Sequence, residues 1–95
     1  MIITASLIHP NGEVDSISLP EDEEARLHQL QEMVGGYIEG VALSGDRYMI
    51  INENGKEAPH MINHTATAIA HEAEAIMTSD YIAGVAVILP AEVLR

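Results

Sequence analysis

Residues 30–41, LQEMVGGYIEGV, carry one hydrophobic period into another across a pair of glycines, and this junction restricts the fold more than any other stretch. Upstream, Leu27, Leu30 and Val34 recur at helical spacing; downstream, Tyr37 and Glu39 alternate with Ile38 as they would along a strand. Gly35 or Gly36, directly after the last apolar helical residue, supplies the left-handed residue that ends a helix, a region only glycine enters without a Cβ penalty. A phosphate-binding loop runs the other way, with a strand before its glycines, a helix after them and a lysine in reach. The order helix, glycines, strand therefore excludes the P-loop and dinucleotide readings.

The flanking segments extend this pattern. IITASLI and VDSISL, separated by HPNGE, predict an opening β-hairpin. Glu21, Asp22, Glu23 and Glu24 crowd the first turn of the following helix, where the helix dipole favours negative charge. Ser18 with Glu21 has capping-box spacing, and Pro20 suits an early helical position. YIEGVAL, SGD and RYMIINE predict a second hairpin, and Asn54-Gly55 predicts a type I′ turn into a short edge segment near Pro59. In NHTATAIAHEAEAIM, Ala66, Ile69, Ala73 and Ile76 form a helical stripe, capped by Asn63 or Thr65 and closed by TSD; YIAGVAVILP reads as a buried last strand. The order β-β-α-β-β-(β)-α-β predicts an α+β fold: one domain over residues 1–95, a small, mainly antiparallel sheet with two helices packed on one face. With neither Trp nor Phe and only three Tyr, its core must be aliphatic.

Fifteen Asp and Glu against four basic residues give a formal charge of -11, so the chain has no basic patch for nucleic acid. Without cysteine there is no disulfide, thiolate site or cysteine nucleophile. The N-terminus lacks a basic leader, and no apolar run reaches the roughly 18 residues a bilayer needs, which predicts a soluble, cytoplasmic protein without membrane contact. His60, His64, His71 and Glu72 are the candidate metal ligands, but HExxH and Cys-His patterns are absent and His64 and His71 lie opposite the apolar stripe, so no metal or other cofactor is expected. Serines lack a nucleophile elbow, and carboxylate pairs such as Glu53 with Glu57 or Glu72 with Glu74 are uninformative in so acidic a chain. The remaining candidate is a polar corner: Tyr37 and Glu39 on one strand face, with Asn52 and Lys56 across the hairpin, and Asn63 assigned to the same ligand- or partner-binding set.

LQEMVGGYIEGV at 30–41, NENGK at 52–56, INHTATAIA at 62–70 and DYIAGVAVIL at 80–89 together resemble a family of small phage, mobile-element, actinobacterial and clostridial proteins, domain-of-unknown-function family 3846. The likeness covers nearly the whole chain. Where that family often has Gly-x-Pro-x-Asn, this chain has Pro59 four residues before Asn63 and no matching Gly. The resemblance implies an accessory, often phage-borne protein and brings no catalytic residue, cofactor or substrate. The resulting expectation is a small acidic, non-enzymatic binding or inhibitor protein that acts on a host protein or sequesters a small nucleotide-like ligand. The alternatives are a small enzyme using His64, His71 or Glu72 and, more weakly, a DNA mimic, since Glu21 to Glu24 cluster at one helix end instead of tracking a phosphate row. A homodimer is expected through an unpaired edge at the first strand or near Pro59.

Overall fold

A computed structural model describes residues 3–57 and 60–94. Five strands, β1 (Ile3–Ile8), β2 (Val14–Leu19), β3 (Ile38–Ala42), β4 (Arg47–Asn52) and β5 (Ala86–Pro90), form one sheet in the order β2-β1-β5-β4-β3. Every neighbouring pair is antiparallel. Helix α1 (Glu23–Val34) follows the first hairpin, α2 (His64–Glu72) precedes β5, and a short 3-10 helix (Ala91–Leu94) ends the described chain. The α+β class and antiparallel sheet are as the periodicities predict.

The helices take opposite faces of the sheet, not one. Strand pleating sends Ala86 and Ile88 to one side of β5 and Val87 and Leu89 to the other. Ala86 and Ile88 pack with Ile8, Met49 and the α2 residues Ala66 and Ala70. Val87 and Leu89 pack with Ala5, Ile50 and the α1 residues Leu30 and Val34. Both Met49 and Ile50 are buried, as are four consecutive residues of β5. A central strand apolar on both sides needs cover on both sides, and with two helices each face receives one; full burial of each large aliphatic side chain stabilises the fold by about 1.5–3 kcal/mol.

Local chemistry moves several boundaries. Ser18 belongs to β2, opposite Thr4, so it is not the helix cap. Asp22 caps α1 instead, its Oδ2 accepting the Ala25 N–H at 2.9 Å, with Glu23 and Glu24 in the first turn. Gly35 ends α1 at φ 80, and the N–H groups of Gly35 and Gly36 both donate to the Gln31 carbonyl, at 2.9 and 3.0 Å. Neither Asn54 nor Gly55 has positive φ, so their turn is not type I′. Gly55 is needed there for another reason, because a Cβ would lie 3.0 Å from the Ala83 carbonyl oxygen. The expected extra strand reduces to one bridge, Ile62 to Ala83; Pro59 lies outside the described residues. β5 starts at Ala86 and not at Tyr81, since Gly84 at φ 82 breaks the extended run. The first strand is interior to the sheet, so the open edges are β2 and β3.

α2 stops at Glu72, ahead of the expected TSD. Glu74 turns left-handed at φ 54, and the Ala75 N–H reaches back to the Ala70 carbonyl at 2.9 Å, closing the terminus. A non-glycine residue there costs roughly 1 kcal/mol. Glu74→Gly is therefore expected to stabilise the protein by about 0.5–1 kcal/mol and raise Tm by about 2–8 °C. A fall in Tm on calorimetry would show that the carboxylate contributes more than its backbone strain costs.

Candidate functional site

The site grows from the segment between α2 and β5. The Asn63 N–H donates to the Ile82 carbonyl at 2.8 Å, and the Ile82 N–H donates to Thr67 Oγ1 at the same distance, which ties this segment to the first turn of α2. From the other end of the helix, His71 Nε2 lies 2.9 Å from the Asp80 carbonyl and 3.2 Å from that of Met77. Carbonyls only accept, so this nitrogen carries the proton. Held from both sides, the chain presents Asp80 and Tyr81 toward the turn after β4.

There they meet Lys56. Its ammonium pairs with Asp80 Oδ1 and lies 4.7 Å from the centre of the Tyr81 ring. The hydrogen bond to Asp80 raises the Lys56 pKa above its ordinary value. That same bond, with the Tyr81 N–H donating at 2.8 Å, holds the Asp80 carboxyl below the usual carboxylate range. A depressed acid loses its contribution only as pH falls through its folded pKa, and a raised base only as pH rises through its own. The pair is thus intact across neutral pH, and its exposure to solvent keeps it weak and sensitive to salt.

These groups border a cavity of about 250 Å³ whose apolar side includes Val41, Ile51 and Ile76. Four lining carboxylates, Glu39, Glu53, Glu57 and Asp80, face one ammonium. Glu39, Asn52 and Lys56 of the expected corner do converge here. Tyr37 does not: it is 71% exposed and outside the lining, and Tyr81 occupies the aromatic position.

Asn52 and Asn63 serve the fold. Asn52 Nδ2 donates to the orphan Val34 carbonyl at the end of α1 (2.9 Å), and its Oδ1 accepts from the Asn54 N–H (2.7 Å). Gly36 allows that approach, because a Cβ would sit 3.0 Å from Asn52 Nδ2. Asn63 is fully buried, with its oxygen and amide nitrogen all engaged within the protein, so the expectation that it meets a ligand gives way to a structural role. Of the expected alternative set, His71 holds the loop, His64 and Glu72 are exposed, and none of the three lines the cavity. Among the described residues no group of three or more His, Asp or Glu could hold a metal ion.

Asp80 and Tyr81 escaped sequence reasoning because TSD reads as the close of a helix and YIAGV as the start of a buried strand. The signal was Gly84, which separates the segment carrying Asp80 and Tyr81 from the apolar run of β5.

No described helix is long and apolar enough to cross a membrane. Residues 3–92 match the model of a family described as Domain of unknown function (DUF3846). No curated protein and no solved structure matches the chain.

Proposed function

The chain belongs to the DUF3846 family, and from that premise we propose that it is a small acidic binding protein without catalytic activity, a cytoplasmic accessory of phage or mobile-element type, whose cavity takes a cationic group presented by a host protein. The observation that carries this reading is the state of Lys56. Its charge is already engaged by Asp80 and Tyr81, while Glu39, Glu53 and Glu57 also border the cavity. An incoming phosphate would meet those carboxylates with the one lining ammonium occupied, which favours a cationic group over a nucleotide. A lysine held protonated and an aspartate held ionised are also poorly matched to proton transfer or amine attack near neutral pH.

The volume suits one side-chain head group and falls below the roughly 300–1,000 Å³ of drug-sized pockets. NMR titration with agmatine, a guanidinium probe, is expected to move the resonances of Glu39, Lys56 and Tyr81, whereas AMP leaves them in place. Glu39→Gln combined with Tyr81→Ala should weaken agmatine binding about tenfold, the sum of one exposed charge contact and one aromatic contact, with Tm nearly unchanged. AMP binding at these residues would restore the nucleotide alternative, and conversion of either probe to product would falsify the non-enzymatic reading.

A further inference from the structure

At the β3 edge the ladder determines which backbone groups face outward. The Glu53 N–H donates to the Tyr37 carbonyl at 2.9 Å and the Leu43 N–H to the Arg47 carbonyl at 3.0 Å. The register Ile38↔Asn52 through Ala42↔Tyr48 then assigns Tyr37, Glu39, Val41 and Leu43 to the hydrogen-bonded positions against β4. The N–H and C=O groups of Ile38, Gly40 and Ala42 point the other way. Among the described residues no hydrogen bond reaches them. At the opposite edge, by contrast, the Ser18 carbonyl accepts from the Gln29 side chain at 3.4 Å.

A groove runs beside this open edge on the α2 side of the sheet. Glu39, Val41, Ile76 and Asp80 line both the cavity described above and a neighbouring hollow, which adds Glu74 and Met77. Its floor is apolar and its charged rim is acidic apart from Lys56, which is paired. Edge strands are commonly protected by lysine, proline or a bulge. β3 instead has Gly40 at its centre, without a side chain to hinder an approaching backbone, and Glu39 beside it.

We propose that β3 takes, as a sixth strand, an extended segment of a partner protein with Lys or Arg at every second position. Its backbone would pair with Ile38, Gly40 and Ala42, and its cationic side chains would reach Glu39 and Glu74 along the groove. The charge of the segment rests on the function proposed above; the open edge does not. A second copy of this chain is disfavoured as occupant, because self-pairing about Gly40 would bring two sets of these carboxylates together between molecules each carrying -11.

The test uses three octapeptides: alternating Lys and Val, the same with proline at one central valine, and alternating Glu and Val. The Lys-Val peptide is expected to bind and to slow hydrogen exchange at the Ile38, Gly40 and Ala42 amides at least tenfold. The proline peptide should bind at least tenfold more weakly, and the Glu-Val peptide not at all. Gly40→Pro removes an outward donor while sparing the ladder to β4, so it should weaken the Lys-Val peptide about tenfold with little change in Tm. Glu39→Lys with Glu74→Lys, which leaves the backbone alone, should transfer preference to the Glu-Val peptide and decides the matter if Gly40→Pro does not fold. Absence of binding, equal binding of the proline peptide, or binding without amide protection overturns the proposal. So does concentration-dependent protection of these amides in the protein alone, which would place a second copy on the edge. If the peptides fail while agmatine still binds at Lys56 and Tyr81, the edge is excluded and the cavity stands.

Discussion

Asn63→Ala is expected to remove about 3–5 kcal/mol of stability, enough to leave a domain this small largely unfolded at 37 °C. The side chain is 0% exposed and connects three parts of the chain. Its Oδ1 accepts the Ala66 N–H at 3.0 Å and starts α2; its Nδ2 donates to the Ile8 carbonyl at 3.0 Å and the Gly84 carbonyl at 2.9 Å. Losing the cap costs about 1 kcal/mol, and each carbonyl left buried without a donor costs about 1–3 kcal/mol. Asn63→Asp separates these contributions. It keeps the cap acceptor but turns an ionised oxygen toward two carbonyls, so the introduced carboxyl has its folded pKa raised. The folded state then holds the proton more tightly than the unfolded chain, and stability falls as pH rises from the unfolded value toward the folded one. The variant should therefore gain stability on acidification from neutrality, when the protonated oxygen can donate to one carbonyl. Urea unfolding at pH 5 and pH 7 measures both effects. A loss under 1 kcal/mol for Asn63→Ala, or an Asn63→Asp variant weaker at pH 5, would remove Asn63 from the centre of the fold.

Asn63 also marks where reading the chain by pattern stops working. The hairpins were legible because alternation and turn residues are local properties, and so was the glycine stop of α1, because Gly35 alone satisfies its φ of 80. Whether an asparagine meets solvent or three buried partners depends on which distant carbonyls surround it. Asn52 and Asn63 have the same chemistry as an exposed asparagine and differ only in burial, at 8% and 0% exposure. The faces chosen by the helices were hidden for a related reason. Apolar residues at successive positions of β4 and β5 state that both sides are covered but not which helix covers which. In the candidate site, Lys56 and Glu39 were legible from the second hairpin, whereas Tyr81 arrives from 25 residues beyond Lys56 through contacts that α2 creates.

Arg26 was legible only as one of four positive charges, and its loss is the second large effect expected. Its side chain is 6% exposed on α1, where Nη1 donates to the carbonyls of Pro20 (3.2 Å) and Glu21 (2.8 Å) and Nη2 to that of Val93 (3.1 Å). One planar guanidinium thus holds the entry to α1 and the C-terminal 3-10 helix together, a geometry that a single ammonium cannot reproduce. Hydrogen bonds from a charged donor contribute about 1.5–3 kcal/mol each, but the Pro20 and Glu21 carbonyls lie close enough to solvent to recover water. Arg26→Met, which keeps an unbranched apolar stem at the hollow Arg26 lines with Leu30 and Ile38, is accordingly expected to cost about 2–4 kcal/mol, with Arg26→Lys recovering less than half. Location discriminates this from general weakening. Amide exchange should accelerate first in 91–94 and 21–23, while Ala66 and Ala70, packed on the opposite face, keep their protection until global unfolding. Uniform acceleration across both faces would mean that the guanidinium holds up the sheet itself, and that the C-terminal helix is docked by its apolar contacts alone.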